Sequence, residues 1–289
     1  FDRQTPCQQW AVAYLLAGKD MMVCSQTGSG KTMAYLLPLL HELLCAPQAS
    51  GPGGPARPRA VVLAPTRELA AQISGEAQRL LGQGGRQPVR VECVYGGVPY
   101  RETRAAVQRG VDLLVATPGR LSDACGRRDV ALGSVRAVVL DEADRMLDLG
   151  FEPQIQELLS KRGMPPVGER RTAMFSATFG DGVQHLAADF LDAYTFVAVG
   201  RVGSAAQALR HSLVWVEDDR KPLALLGVLL RLVASLRPGE VTGVVVFVNT
   251  KDAARSLDAQ LRRWGFEAGS IHGDKAQAER ERVLGSFRR

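Results

Sequence analysis

The sequence predicts an α/β fold in which a parallel β-sheet is covered by helices and followed by a second, smaller α/β unit. Three observations carry that expectation. Short apolar, β-branched runs recur every 20 to 40 residues, helix-period stretches lie between them, and near 200–210 the pattern loosens before restarting. Strands that alternate with helices form parallel sheets, and ligands gather at the carboxyl ends of such strands. In chain order the expected strands are DMMVCS (20–25), AVVLAP (60–65), VRVECVY (89–95), VDLLVAT (111–117), VRAVVLDEA (135–143), TAMFSAT (172–178) and TFVAVG (195–200). The small and polar stretch GRVGSAAQALR (200–210) reads as a boundary. Beyond it come HSLVWVE, a long helical run from Lys221 to Leu236, and VVVFVNT (244–250), with Trp215 expected on a strand in the core. The expected division is a first domain over 1–200, a linker over 201–209 and a second domain over 210–289. GPGGPARP (51–58) reads as a mobile surface loop within the first domain.

At 289 residues the chain is long enough for one large or two medium α/β domains. With 46% hydrophobic and 6% aromatic residues it has the composition of a soluble α/β protein. No apolar run reaches the roughly 18 residues of a membrane span. The chain begins at Phe1 without Met and with no charged-then-apolar leader, so it reads as a segment excised from a longer protein. Cys7, Cys24, Cys45, Cys93 and Cys125 are odd in number and share no CxxC spacing, which argues against a disulfide framework or a zinc site. A formal charge of +6 favours polyanionic partners, although proteins that bind no nucleic acid also carry such an excess.

The first expected strand runs into SQTGSGKT (25–32) and then a helix. Glycines at 28 and 30 let backbone N–H groups of Gln26, Thr27, Gly28, Ser29 and Gly30 turn inward around phosphates, with the helix dipole adding positive potential. Lys31 reaches the outer phosphates and Thr32 can ligate Mg²⁺. The strict phosphate-loop pattern asks for Gly where Ser25 stands, so a Gly-rich helix start without a ligand is the competing interpretation. DEAD (141–144) closes an apolar strand, so Asp141 and Glu142 emerge at the same sheet edge. Asp141 suits Mg²⁺, and Glu142 suits orienting and deprotonating an attacking water. The alternative for both is a helix N-terminal charge. Together, about 110 residues apart on matching strand ends, the two motifs point to an ATPase.

The motifs occur in one order: TPCQ (5–8), SQTGSGKT, PTRELA (65–70), GG (96–97), TPGR (117–120), DEAD, SAT (176–178), FVNT (247–250), HGD (272–274) and QAER (277–280). This order resembles the DEAD-box ATP-dependent RNA helicases over nearly the whole chain. VYGG, DEADRMLDLGF and SIHGD look most like the Vasa-like branch.

The resemblance implies two RecA-like domains, the second partial here, that close over ATP and one RNA strand. It assigns Gln8 to the adenine edge, with Phe1 and Arg3 against the ring faces; Gln4 departs from the usual Pro. It assigns Pro65, Thr66, Arg67, Gly97, Thr117, Gly119 and Arg120 to the RNA backbone, a grip that reads no bases. Ser176 and Thr178 are expected to couple phosphate chemistry to strand separation by bonding to the DEAD segment. Lys251, His272, Gly273, Gln277 and Arg280 match positions near the RNA, whereas His41, His185 and His211 match none and read as structural.

The function so implied is local, ATP-coupled unwinding of short RNA duplexes by a monomer, in the cytoplasm or in ribonucleoprotein granules, with the nucleus not excluded. An ATP-gated RNA clamp and a DNA-directed translocase are the alternatives. The family's HRxGRxxR motif does not occur in the sequence. The segment is therefore expected to bind nucleotide but to show almost no RNA-stimulated hydrolysis or unwinding until further C-terminal sequence is restored.

Overall fold

The structure, a computed structural model, describes residues 3–45, 54–82, 89–200, 212–237 and 242–287. Phe1, the expected linker at 201–209, His211 and the start of the 51–58 loop lie outside them. The chain divides into two compact units, 1–207 and 208–289.

The first unit is built on seven strands: β1 (Met21–Ser25), β2 (Ala60–Leu63), β3 (Val91–Val94), β4 (Leu113–Ala116), β5 (Ala137–Leu140), β6 (Arg171–Ser176) and β7 (Thr195–Val199). Each coincides with one of the seven expected runs, β6 starting one residue ahead of its run at Arg171. All the pairings are parallel, in the order β3-β4-β2-β5-β6-β1-β7. The inner strands read as continuous apolar runs rather than alternating ones, because a parallel sheet is covered on both faces. Alternate residues therefore enter two separate cores. Met21, Val23, Val62, Val115, Val139 and Phe175 pack under α1 (Pro6–Leu16), α2 (Lys31–Cys45) and α3 (Arg67–Leu81). On the opposite face Met22, Val61, Leu114, Val138 and Met174 pack under α4 (Tyr100–Gln108), α5 (Pro118–Gly126), α6 (Ala143–Asp148), α7 (Glu152–Ser160) and α8 (Asp181–Phe190).

Two expectations need correction. Part of the 51–58 loop is anchored rather than mobile, since Ala56 is buried and its backbone donates to Asp129 and accepts from Ala131, both at 2.8 Å. In the second unit the described residues form α9 (Lys221–Ser235), α10 (Lys251–Arg263) and α11 (Gln277–Phe287) but no strand. Trp215, expected in a core, is 87% exposed, and Phe247 in VVVFVNT is 91% exposed. An apolar, β-branched run becomes a strand only when a neighbour accepts and donates its ladder bonds, and among the described residues neither run has one.

No helix among the described residues is long and apolar enough to cross a membrane. All five cysteines are free thiols.

Candidate functional site

The loops that leave the carboxyl ends of six strands carry the motifs, and the strand order sorts them. The loops after β5, β6 and β1, three adjacent strands, carry DEAD, SAT and the phosphate loop. Those after β3, β4 and β2, also adjacent, carry GG, TPGR and PTRELA. The β2–β5 pairing joins the two groups into one edge.

The phosphate loop runs from Ser25 to the start of α2 at Lys31. Gly28 and Gly30 have φ of +81° and +85°, values an L side chain adopts only with strain. At Gly30 space decides as well, since a Cβ would lie 2.5 Å from Gln8 Nε2. Gln8 braces the loop from α1: its Nε2 donates to the Gly30 carbonyl at 3.2 Å, and its Oε1 accepts from Thr5 N at 2.9 Å. Thr5 caps α1 and donates its hydroxyl to the Ser29 carbonyl at 2.7 Å. The TPCQ segment is thereby tied to the phosphate loop at two points. Lys31 Nζ donates to the carbonyls of Ser25 at 2.5 Å and Gln26 at 3.3 Å, a position from which the side chain must swing to meet an anion. Ser25, in the place of the strict pattern's Gly, exchanges a 2.8 Å hydrogen bond with Ser29 across the loop. Thr27 and Gly28 are exposed at the loop's crest, and Arg3 is exposed at the start of the described chain.

Asp141 is 3% exposed. Its Oδ2 accepts from the Tyr35 hydroxyl at 2.7 Å and its Oδ1 from Glu142 N at 3.0 Å. Burial pushes its carboxyl up to about 6, helped by the charge of Glu142 and opposed by the Tyr35 bond and Lys31. A buried carboxylate in that condition gains from a neighbouring cation. Asp141, buried at the end of β5, and Thr32, in the first turn of α2, offer hard oxygen donors, a set that fits Mg²⁺. Glu142 caps α6 at φ +51° and ψ 52°, in the left-handed region, without using its side chain as the cap.

SAT and DEAD are in direct contact. Asp144 Oδ2 accepts from Ala177 N at 3.2 Å, Thr178 N at 3.0 Å and Thr178 Oγ1 at 3.0 Å. Ser176 Oγ accepts from Thr178 N at 3.3 Å and so shapes the same turn. Asp144 was not among the sequence-predicted site residues; its place in the DEAD tetrapeptide was the available signal.

On the other half of the edge Thr66 caps α3 by accepting from Leu69 N at 3.2 Å, while Thr117 precedes α5, whose first turn holds Gly119. Pro65 and Thr117 are buried. Both arginines converge on the GG turn. Arg120 donates to the carbonyls of Tyr95 at 3.1 Å and Val98 at 2.6 Å. The Arg67 guanidinium fills the space where a Cβ on Gly97, itself at φ +90°, would stand. Tyr100 lies beneath this cluster with the guanidinium carbons of Arg120 and Arg127 5.6 and 4.3 Å from its ring centroid, and it donates to Asp129 at 2.5 Å. Sequence reasoning missed Tyr100, because a tyrosine after a GG turn carries no motif.

In the second unit Lys251 at the start of α10 pairs with Asp274 of HGD at 3.0 Å, and the hydrogen bonds from Lys251 and Arg255 hold the Asp274 carboxyl below its ordinary value. Gln277 and Arg280 touch at 3.2 Å on α11. Both ring nitrogens of His272 are buried without a hydrogen-bond partner among the described residues, and Gly273 is exposed.

The sequence profile described as DEAD/DEAH box helicase matches residues 5–186. The chain is 44% identical to DEAD-box ATP-dependent RNA helicase 52A of Oryza sativa subsp. japonica over 299 aligned positions, covering 100% of this chain and 49% of that protein. It thus spans about half the length of that curated relative. Among solved structures it is similar to the yeast DEAD-box splicing factor Prp28, with a TM-score of 0.65, 29% identity, and coverage of 100% of this chain and 64% of that one. It is also similar to a DEAD box protein from the hyperthermophile Methanococcus jannaschii, with a TM-score of 0.58, 30% identity, and coverage of 98% and 70%. The parallel sheet with its flanking helices is the RecA-like fold of these proteins.

Proposed function

The chain belongs to the DEAD/DEAH box helicase family, and from that premise we propose that it is the ATP-binding core of an ATP-dependent RNA helicase, which grips one RNA strand by its backbone and separates short duplexes locally. The observation that supports this most strongly is the sorting of motifs along the sheet edge: β5, β6 and β1 carry the phosphate chemistry, and the adjoining β3, β4 and β2 carry the arginines and helix starts suited to a polyanion. The stretches VYGG, DEADRMLDLGF and SIHGD favour the Vasa-like branch.

In this reading ATP seats its phosphates on the amides of 26–30, Lys31 leaves the Ser25 and Gln26 carbonyls for the outer phosphates, and Gln8 meets the adenine edge. Because Gln8 is hydrogen-bonded to Gly30, adenine contact and loop shape are linked. Asp141 and Thr32 would hold Mg²⁺, which would supply charge neutralisation at the outer phosphates. Glu142 takes the proton of the attacking water. The Asp144–Thr178 contact carries changes at the phosphates into the SAT turn. Arg67 and Arg120 keep the GG turn rigid, so that Gly97, Gly119 and the helix starts offer backbone N–H groups to RNA phosphates. Lys251, His272, Gly273, Gln277 and Arg280 add the second unit's share of the RNA contact.

The test is displacement of a short labelled RNA strand, with ATP, by the protein that carries this chain, beside a DNA duplex of matching sequence. The reading predicts ATP-dependent displacement of RNA and far less of DNA. No displacement, or equal displacement of both, contradicts it.

A further inference from the structure

Tyr35 lies one turn into α2 and is wholly buried, its ring 5.1 Å from that of Phe175 on β6. A buried phenol needs a hydrogen-bond partner. This one donates to Asp141 Oδ2 at 2.7 Å, across 106 residues of sequence, and the Thr32 hydroxyl also acts on it from the preceding turn of the same helix. The second oxygen of Asp141 accepts from Glu142 N at 3.0 Å. With one protein donor on each oxygen, the carboxylate cannot turn about its Cβ–Cγ bond without losing a hydrogen bond inside the protein. A phenylalanine would fill the same space against Phe175, so packing alone does not explain the hydroxyl.

We propose that Tyr35 is a positioning residue for the Mg²⁺–nucleotide site: its hydroxyl fixes the plane of the Asp141 carboxylate and so presents that side chain's oxygens to the ion in one orientation. The proposal rests on the assignment of Asp141 to Mg²⁺ made above. Groups that orient a metal ligand from behind typically change metal affinity 10- to 100-fold when removed. Here the group belongs to the helix that starts at the phosphate loop, so any shift of α2 on nucleotide binding moves the metal-facing carboxylate with it.

The experiment measures ADP affinity of the 289-residue chain by calorimetry, with EDTA and across a series of Mg²⁺ concentrations, for the wild type, Tyr35→Phe, Phe175→Leu and Asp141→Asn. Tyr35→Phe is expected to raise the Mg²⁺ concentration for half-maximal enhancement of ADP binding by roughly tenfold. Phe175→Leu, which loosens the ring's packing and leaves the hydroxyl in place, is expected to lower the melting temperature without that shift. An unchanged Mg²⁺ requirement in Tyr35→Phe overturns the proposal, as does an equal shift in Phe175→Leu, which would make the effect one of packing. If wild-type ADP binding ignores Mg²⁺, or Asp141→Asn responds to it as the wild type does, the assignment of Asp141 itself fails and the proposal falls with it.

Discussion

At the scale of single residues, Glu142 is the most informative. It occupies the left-handed region at φ +51°, which costs an L residue roughly 1–2 kcal/mol. Such strain persists where the surroundings impose it, and it concentrates at functional positions. Here the turn leaves Asp141 buried under Tyr35 while Glu142 remains partly exposed at the edge. Two adjacent carboxylates thus occupy different environments, which suits one to a metal ion and the other to a water molecule. Glu142→Gln keeps the shape and removes the proposed base. ATP binding is expected to persist while steady-state phosphate release by the protein that carries this chain falls at least tenfold, and unchanged release would remove Glu142 from that role.

At the scale of elements, the GG turn after β3 is held from two sides, by Arg120 of α5 and Arg67 of α3. Gly97→Ala places a Cβ where the Arg67 guanidinium lies and forces an L residue to φ +90°. The expected outcome is weaker RNA binding, by roughly tenfold if the strain of about 1–2 kcal/mol falls on the RNA-competent turn, with ADP affinity as in the wild type. Fluorescence anisotropy with labelled RNA and calorimetry with ADP check the two halves. This turn also marks what the sequence could reveal. The strands were legible because runs such as AVVL at 60–63 and 137–140 are apolar at every position, as a doubly covered parallel strand must be. Gly28, Gly30, Lys31 and Asp141 could be singled out because phosphate and metal chemistry constrain residue type and spacing, and the structure places them after β1 and β5 at one sheet edge. Gln8 on Gly30, Tyr35 on Asp141 and Tyr100 under Arg120 were not, since each joins a side chain to a residue elsewhere in the chain, up to 106 residues away, with no spacing rule to reveal it. HSLVWVE and VVVFVNT misled because composition reports a tendency to form strands and says nothing about whether a partner strand is there to complete the ladder.

At the scale of the whole molecule, the two units differ in how they are held together. The first has two cores, one on each face of a seven-stranded sheet. In the second, Leu229 is the sole buried hydrophobic side chain among the described residues, while Leu213, Trp215 and Phe247 are almost fully exposed. Amide protection follows buried packing and shielded hydrogen bonds, so backbone amides of α9, α10 and α11 are expected to exchange orders of magnitude faster than those of β1, β2 and β5. Equal protection in both units, measured by hydrogen exchange, would contradict that contrast. In the proposed function nucleotide binding belongs to the first unit, which carries the phosphate loop, and turns on Lys31. A charge-assisted contact of this kind contributes about 1.5–3 kcal/mol, or roughly tenfold to a hundredfold in affinity. The decisive measurement is the affinity of the 289-residue chain for a fluorescent ADP analogue with Mg²⁺, compared between the wild type and Lys31→Ala with circular dichroism to verify the fold. The account predicts saturable binding by the wild type and a tenfold to hundredfold loss in a variant whose spectrum is unaltered; equal affinity in the two, or no binding by the wild type, would contradict it.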